Sequence, residues 1–185
     1  MEIAVERLEN VESYVIGRRI VLDVDLYPPR RNWRFCHELA HLLLGHTETD
    51  SISREMEREA DEMAAELMIP IVEFRLAMKG MDIFGLKEKY PHASWEVVAR
   101  RWANERPAVL TIYDNGRLTG RHGPEGLTFP PRPCTAEVEL IRECCEKKQH
   151  LSRNVAETEG LDLQAFFVDN DHGVERVLLL TEPTV

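Results

Sequence analysis

His37 and His41 stand four residues apart in the run His37-Glu38-Leu39-Ala40-His41. On a helix of 3.6 residues per turn the two imidazoles lie about 40° apart around the axis, so both reach one metal ion. Glu38 falls about 60° from His41, close enough to touch a metal-held water without being a ligand. A divalent ion that brings water towards a neutral pKa, with a carboxylate beside it, is a means of hydrolysing an amide. Zinc suits this ligand set best, with manganese as the alternative. A chain of this composition produces the pattern by chance about 0.03 times, so a third ligand is needed to give it meaning. The competing reading makes both histidines polar members of an amphipathic helix. Against it, Leu39, Ala40, Leu42, Leu43 and Leu44 surround them, and burying that stretch leaves two imidazoles in need of partners.

His46 is one candidate for the third ligand. The metalloprotease class with a third histidine needs Gly three and His six residues after the second, and here those positions are Leu44 and Thr47. His46 lies about 140° around from His41 and reads as a helix-terminal residue interacting with the last carbonyls. A second helix offers better candidates. Met56, Ala60, Met63 and Leu67 form an apolar row for the core, and Glu55, Glu59, Glu62 and Glu66 an acidic row facing solvent. Between them run Glu57, Asp61, Ala64 and Met68. On that boundary Glu57 is assigned as the third ligand and Asp61 as the carboxylate that orients a ligand histidine. Glu59 is the rival to Glu57. Ala60, Ala64 and Ala65 let the two helices approach closely.

The elements that must position these groups are legible from pattern. The first dozen residues read as a short helix or coil. Ser13 to Ile16 and Arg19 to Val24 read as a strand hairpin, ended by Pro28 and Pro29. Asn32 is placed to cap a helix from Trp33 to Leu44 that Gly45 terminates, and a second helix spans Ser53 to Ile69 before Pro70. Short helices are expected near Ile71 to Met78, near Ile83 to Tyr90 and after Ser94. From Pro107 a hairpin turns at Asp114-Asn115-Gly116. Pro130, Pro131 and Pro133 make a stiff connector, followed by a helix near Ala136 to Lys148. Strands are expected near Leu151, Leu163 to Val168 and Val174 to Leu180. The class is α+β, with a metal-bearing core over residues 1–70, a helical extension over 71–106 and an α+β unit over 107–185. Charge follows the same zones, at -7, +2 and -5.

The 185 residues carry Lys+Arg 23 against Asp+Glu 33, a net charge of -10, with 43% hydrophobic residues. That balance supports a packed core and argues against a basic nucleic-acid coat or an anionic membrane surface as partner. The charged first dozen residues do not form a signal peptide, and no apolar run is bilayer-length, so a soluble cytoplasmic protein is expected. Cys36, Cys134, Cys144 and Cys145 include no C-x-x-C pair and read as reduced thiols.

His37 to His46, then Glu57-Arg58-Glu59-Ala60-Asp61 and Ala64-Ala65-Glu66-Leu67-Met68-Ile69-Pro70, resemble the ImmA/IrrE family of metallopeptidases. So does the basic-aromatic lead-in Arg30, Arg31, Trp33, Arg34 and Phe35. The resemblance is close over residues 11–70 and loose over 71–106. It implies that His37, His41 and Glu57 bind metal, that Glu38 is the general base, and that the substrate is a helix-turn-helix repressor whose cleavage relieves repression. Asp61 stands where many relatives have Asn. In the family the middle zone resembles a helix-turn-helix; here its charge of +2 favours a helical buttress over a nucleic-acid surface. An extended substrate is expected to pair with the strand near Arg19 to Val24. Tyr90, His92, Tyr113, His122 and His172 are unranked candidates for polarising the oxyanion, and oligomeric state is left open. A second hypothesis is a metal-stabilised DNA-binding or interaction regulator that cuts nothing.

Overall fold

The computed structural model describes residues 1–46, 53–157, 159–169 and 174–184. Among these are six helices and two sheets, an α+β fold, and the chain divides into compact units at Met1–Ser94 and Trp95–Val185.

In the first unit Ser13–Ile16 (β2) and Arg19–Asp23 (β3) pair antiparallel. The N-terminal residues are neither helix nor coil: Glu2–Glu6 (β1) runs parallel to β3, with Ile3 opposite Ile20 and Val5 opposite Leu22. Ile3 and Val5 stay largely exposed, so no burial pattern marked them as strand. The sheet order is β1-β3-β2. β3 therefore has partners on both sides and no free edge for a substrate backbone, contrary to the expectation from sequence; among the described residues β2, which also contacts the first helix, is an edge strand.

That helix, Pro28–Leu44 (α1), begins five residues before the expected Trp33. Pro28 and Pro29 do not merely stop the strand; they fill the first helical turn, where a missing N–H costs nothing and φ is already helical. Asn32 is accordingly inside the helix, and its side chain donates to His92 O at 3.0 Å. Gly45 ends α1 at φ 73°, a left-handed conformation that a side chain would strain.

Arg54–Met68 (α2) starts where Ser53 accepts from Met56 N–H at 3.2 Å. Its buried row is Ala60, Ala64 and Met68, rotated from the expected Met56, Ala60, Met63, Leu67; Leu67 is 41% exposed. α1 packs against α2, whose Ala60 and Ala64 are fully buried. Ile71–Met78 (α3) and Ile83–Lys89 (α4, capped by Asp82 onto Gly85 N–H at 2.9 Å) complete this unit.

The second unit contains Trp95–Asn104 (α5), Val109–Asp114 (β4), Arg117–His122 (β5), Thr135–Lys147 (α6), Leu151–Asn154 (β6), Leu161–Asp169 (β7) and Glu175–Pro183 (β8). Its sheet is antiparallel throughout, in the order β5-β4-β8-β7-β6. Leu163, Ala165, Val177 and Leu179 face α6, where Leu140, Ile141 and Cys144 meet them. Residues of the other parity face α5: Phe166 stacks on Trp95, and Glu182 accepts from Trp102 Nε1 at 2.7 Å. All four cysteines are free, and burial pushes the Cys144 thiol up to about 12. Among the described residues no helix is long and apolar enough to cross a membrane.

Candidate metal centre

α1 and α2 are antiparallel neighbours, which the residue pairs show directly. His37 lies against Asp61 and His41 against Glu57, so a step of four up one helix is a step of four down the other. Each histidine is then reached from α2 by a carboxylate.

His37, His41 and Glu57 each offer a ligand-capable atom, all within 4.8 Å of one another. The two imidazole Nε2 atoms are 3.1 Å apart. The Glu57 carboxylate lies 3.4 Å from His37 Nε2 through one oxygen and 3.7 Å from His41 Nε2 through the other. A tetrahedral ion with arms of about 2.0–2.1 Å spaces its ligand atoms about 3.3–3.4 Å apart, so the observed separations bracket that edge. The imidazoles are buried (7% and 5% side-chain exposure) while Glu57 is half exposed at 49%, leaving the carboxylate side accessible. Two imidazoles and one carboxylate are a donor set zinc accepts, and this arrangement fits a divalent ion.

Asp61 Oδ1 lies 2.9 Å from His37 Nδ1, the ring nitrogen that does not face the cluster. This bond, strengthened by the charges of Asp61, Glu38 and Glu57 and opposed by burial, raises His37 above the ordinary histidine value. Burial and then the neighbouring His37 push His41 down.

Glu38 is buried on α1. Ser13 of β2 donates to its Oε1 at 2.6 Å, a contact no local pattern indicated because 25 residues separate the pair. The next residue explains how the strand is held there. Glu12 accepts from Arg30 Nη2 at 2.8 Å and Arg34 Nε at 2.5 Å, clamping the start of β2 to α1 one turn before Glu38. Although burial opposes it, the two guanidiniums hold the Glu12 carboxyl below its usual range. A cavity of about 520 Å³ opens beside this clamp, lined by Leu8, Val11, Glu12, Ser13, Asp23 and Arg34.

His46 does not satisfy helix-terminal carbonyls with its ring. Its Nδ1 lies 2.9 Å from His41 Nδ1, and its Nε2 lies 3.4 Å from Glu59 Oε2. Glu59, the rival third ligand, is thus engaged one residue behind the cluster, and the acidic row is not wholly solvated. Among the oxyanion candidates, Tyr90 packs on Phe74 and His92 donates to Met68 O at 2.8 Å. Tyr113 lies in β4, His122 accepts from Arg100 at 3.0 Å, and His172 is outside the described residues.

An α+β chain that brings a buried imidazole pair against a carboxylate carries the donor set of a divalent-metal site. Residues 4–103 match the IrrE N-terminal-like domain of the M78 peptidases, more than half of the chain, and the protein belongs to this metallopeptidase family. No curated protein matches it. A solved structure described as a Mycobacterium tuberculosis transcriptional regulator is similar in fold, with a TM-score of 0.60 and 15% identity. The match covers 97% of this chain and 65% of that one, so this chain spans just under two thirds of its length.

Proposed function

We propose that the protein is a zinc-dependent endopeptidase of the cytoplasm whose substrate is another protein, a helix-turn-helix transcriptional repressor inactivated by cleavage. The observation that carries the reading is the convergence of His37, His41 and Glu57 beside a carboxylate, Glu38, that a strand residue holds in place. Membership of a peptidase family supports proteolysis in general, and the resemblance described above supplies the repressor.

When bound, the metal supplies Lewis acidity to a water and to the substrate carbonyl. His37, His41 and Glu57 would hold it, and Asp61, by accepting from His37 Nδ1, would leave His37 Nε2 free to serve as a ligand atom. Glu38 removes the proton from the attacking water and passes it to the leaving amine. Ser13 occupies Glu38 Oε1, leaving the other oxygen for that proton. The free edge of β2 is the edge on which an extended substrate can add as a strand, with the adjoining cavity available to one of its side chains.

Incubating the purified protein and Glu38→Gln with zinc and a small helix-turn-helix repressor encoded beside it tests the reading. The wild-type protein should release fragments, and the variant should be slower by about 10²–10⁴-fold. Equal fragment yield from the two would reject Glu38 as base. The second reading, a metal-stabilised regulator that cuts nothing, draws on the fold shared with a protein described as a transcriptional regulator. Chelation separates the two: a structural ion unfolds the protein when removed, and a catalytic one abolishes cleavage while the fold persists.

A further inference from the structure

The contact between His41 and His46 has no part in the ligand set just described. His41 Nδ1 faces His46 Nδ1 at 2.9 Å, with ring centroids 5.1 Å apart and planes at 61°. Beyond it Glu59 Oε2 lies 3.4 Å from His46 Nε2. The His46 side chain is only 9% exposed. Its backbone N–H donates to His41 O at 3.0 Å, because left-handed Gly45 folds the end of α1 back on itself.

We propose that His46 and Glu59 are positioning residues for the metal centre: a two-residue relay that fixes the tautomer and ring orientation of His41. The proposal rests on the reading of His37, His41 and Glu57 as ligands, and it follows from placing the protons. To present an Nε2 lone pair to a cation, His41 must carry its proton on Nδ1. Among the described residues, the acceptor in contact with that proton is His46 Nδ1. An imidazole that accepts at Nδ1 and is neutral carries its own proton on Nε2, the nitrogen that faces Glu59. The carboxylate stabilises that tautomer. Without it His46 is free to place its proton on Nδ1, aimed at His41. His41 Nδ1 must then accept, and its proton moves to Nε2, the nitrogen the metal needs. Asp61 does the same task for His37 in one step. Each histidine of the pair is therefore oriented from behind by a carboxylate of α2, directly at one and through His46 at the other.

The test uses the full chain, Zn²⁺ alone and a chromophoric chelator as competitor, with no substrate. His46→Ala and Glu59→Gln should each weaken Zn²⁺ binding by about 10–100-fold, with the far-ultraviolet circular dichroism of the wild type. The double variant should bind no more weakly than His46→Ala alone, because a relay cut at its first link has nothing left to lose at the second. His46→Gln, which keeps an acceptor and a donor, should retain most of the affinity. The visible spectrum of the Co²⁺-loaded protein should keep its band positions in every variant, since no ligand is removed. Wild-type affinity in both single variants would overturn the relay, as would additive losses in the double variant. A Co²⁺ spectrum that shifts in His46→Ala would overturn it by making His46 a ligand. His37→Ala isolates the underlying reading: if that variant binds Zn²⁺ like the wild type, the ligand set itself is wrong and the relay falls with it.

Discussion

Ser13 donates to Glu38 Oε1 at 2.6 Å, and this bond links the proposed base to a strand. A hydrogen bond to a charged group contributes about 1.5–3 kcal/mol, so losing it lets the carboxylate sample orientations in which it misses the water's proton. Ser13→Ala is expected to lower kcat by about 10–100-fold with KM nearly unchanged, and Ser13→Thr to restore it. A fall in both variants, or a change confined to KM, would assign Ser13 to substrate binding instead. The histidine spacing, and Glu57 and Asp61 on the boundary of α2, were legible in the sequence because i, i+4 relations are local. Ser13 and the ring of His46 were not. Neither shares a helical face with the histidines, and each reaches the site only through how its segment docks. Glu59 shows the limit of sorting by stripe: the acidic row looked solvated, yet one member meets a buried imidazole across the packed helices.

At the scale of elements, the approach of α1 to α2 depends on Ala40, Ala60 and Ala64, all fully buried, and on the way each helix begins and ends. Gly45 is the end that matters for the site. A Cβ there would meet nothing within 4 Å, so the cost of substitution is conformational and not steric crowding. Gly45→Ala should destabilise the protein by roughly 1–2 kcal/mol, the penalty of a left-handed alanine, and Gly45→Asn by less. Urea unfolding measures the difference; equal losses for Ala and Asn would show that φ is not the reason. The missed start of α1 and the missed strand β1 have separate physical causes. A Pro-Pro pair breaks a helix from within but suits its first turn, and which applies depends on the residues before it. β1 is held by parallel pairing to β3, a non-local ladder that leaves Ile3 and Val5 exposed. Short turn-delimited elements such as β4–β5 were readable, since Asn115 and Gly116 at φ 49° and 73° suit a tight hairpin.

Across the whole molecule, each compact unit carries an arginine-held carboxylate that ties its elements together. In the first, Arg30 and Arg34 of α1 hold Glu12 at the start of β2. In the second, Arg176 of β8 holds Asp114 of β4 at 2.6 Å and Glu96 of α5 at 2.5 Å. Burial opposes ionisation of Glu12 and Asp114, but the guanidiniums prevail and both carboxyls sit below their ordinary values. A carboxyl with a depressed native pKa favours the folded state above its unfolded value, about 4, and loses that contribution as pH falls through the native value. Stability should therefore decline on acidification below about pH 4, and the decline should be shallower in Asp114→Asn. An identical acid profile for wild type and variant would remove Asp114 from the account. The sequence by itself determined the α+β class, most helices and strands, the histidine pair and the two α2 carboxylates nearest it, because period, caps and turns are properties of neighbouring residues. Only the tertiary structure decided that β3 is central, that Ser13 holds Glu38, and that His46 and Glu59 stand behind His41. Those facts depend on how separate segments pack, and packing energy is shared among residues far apart in the chain.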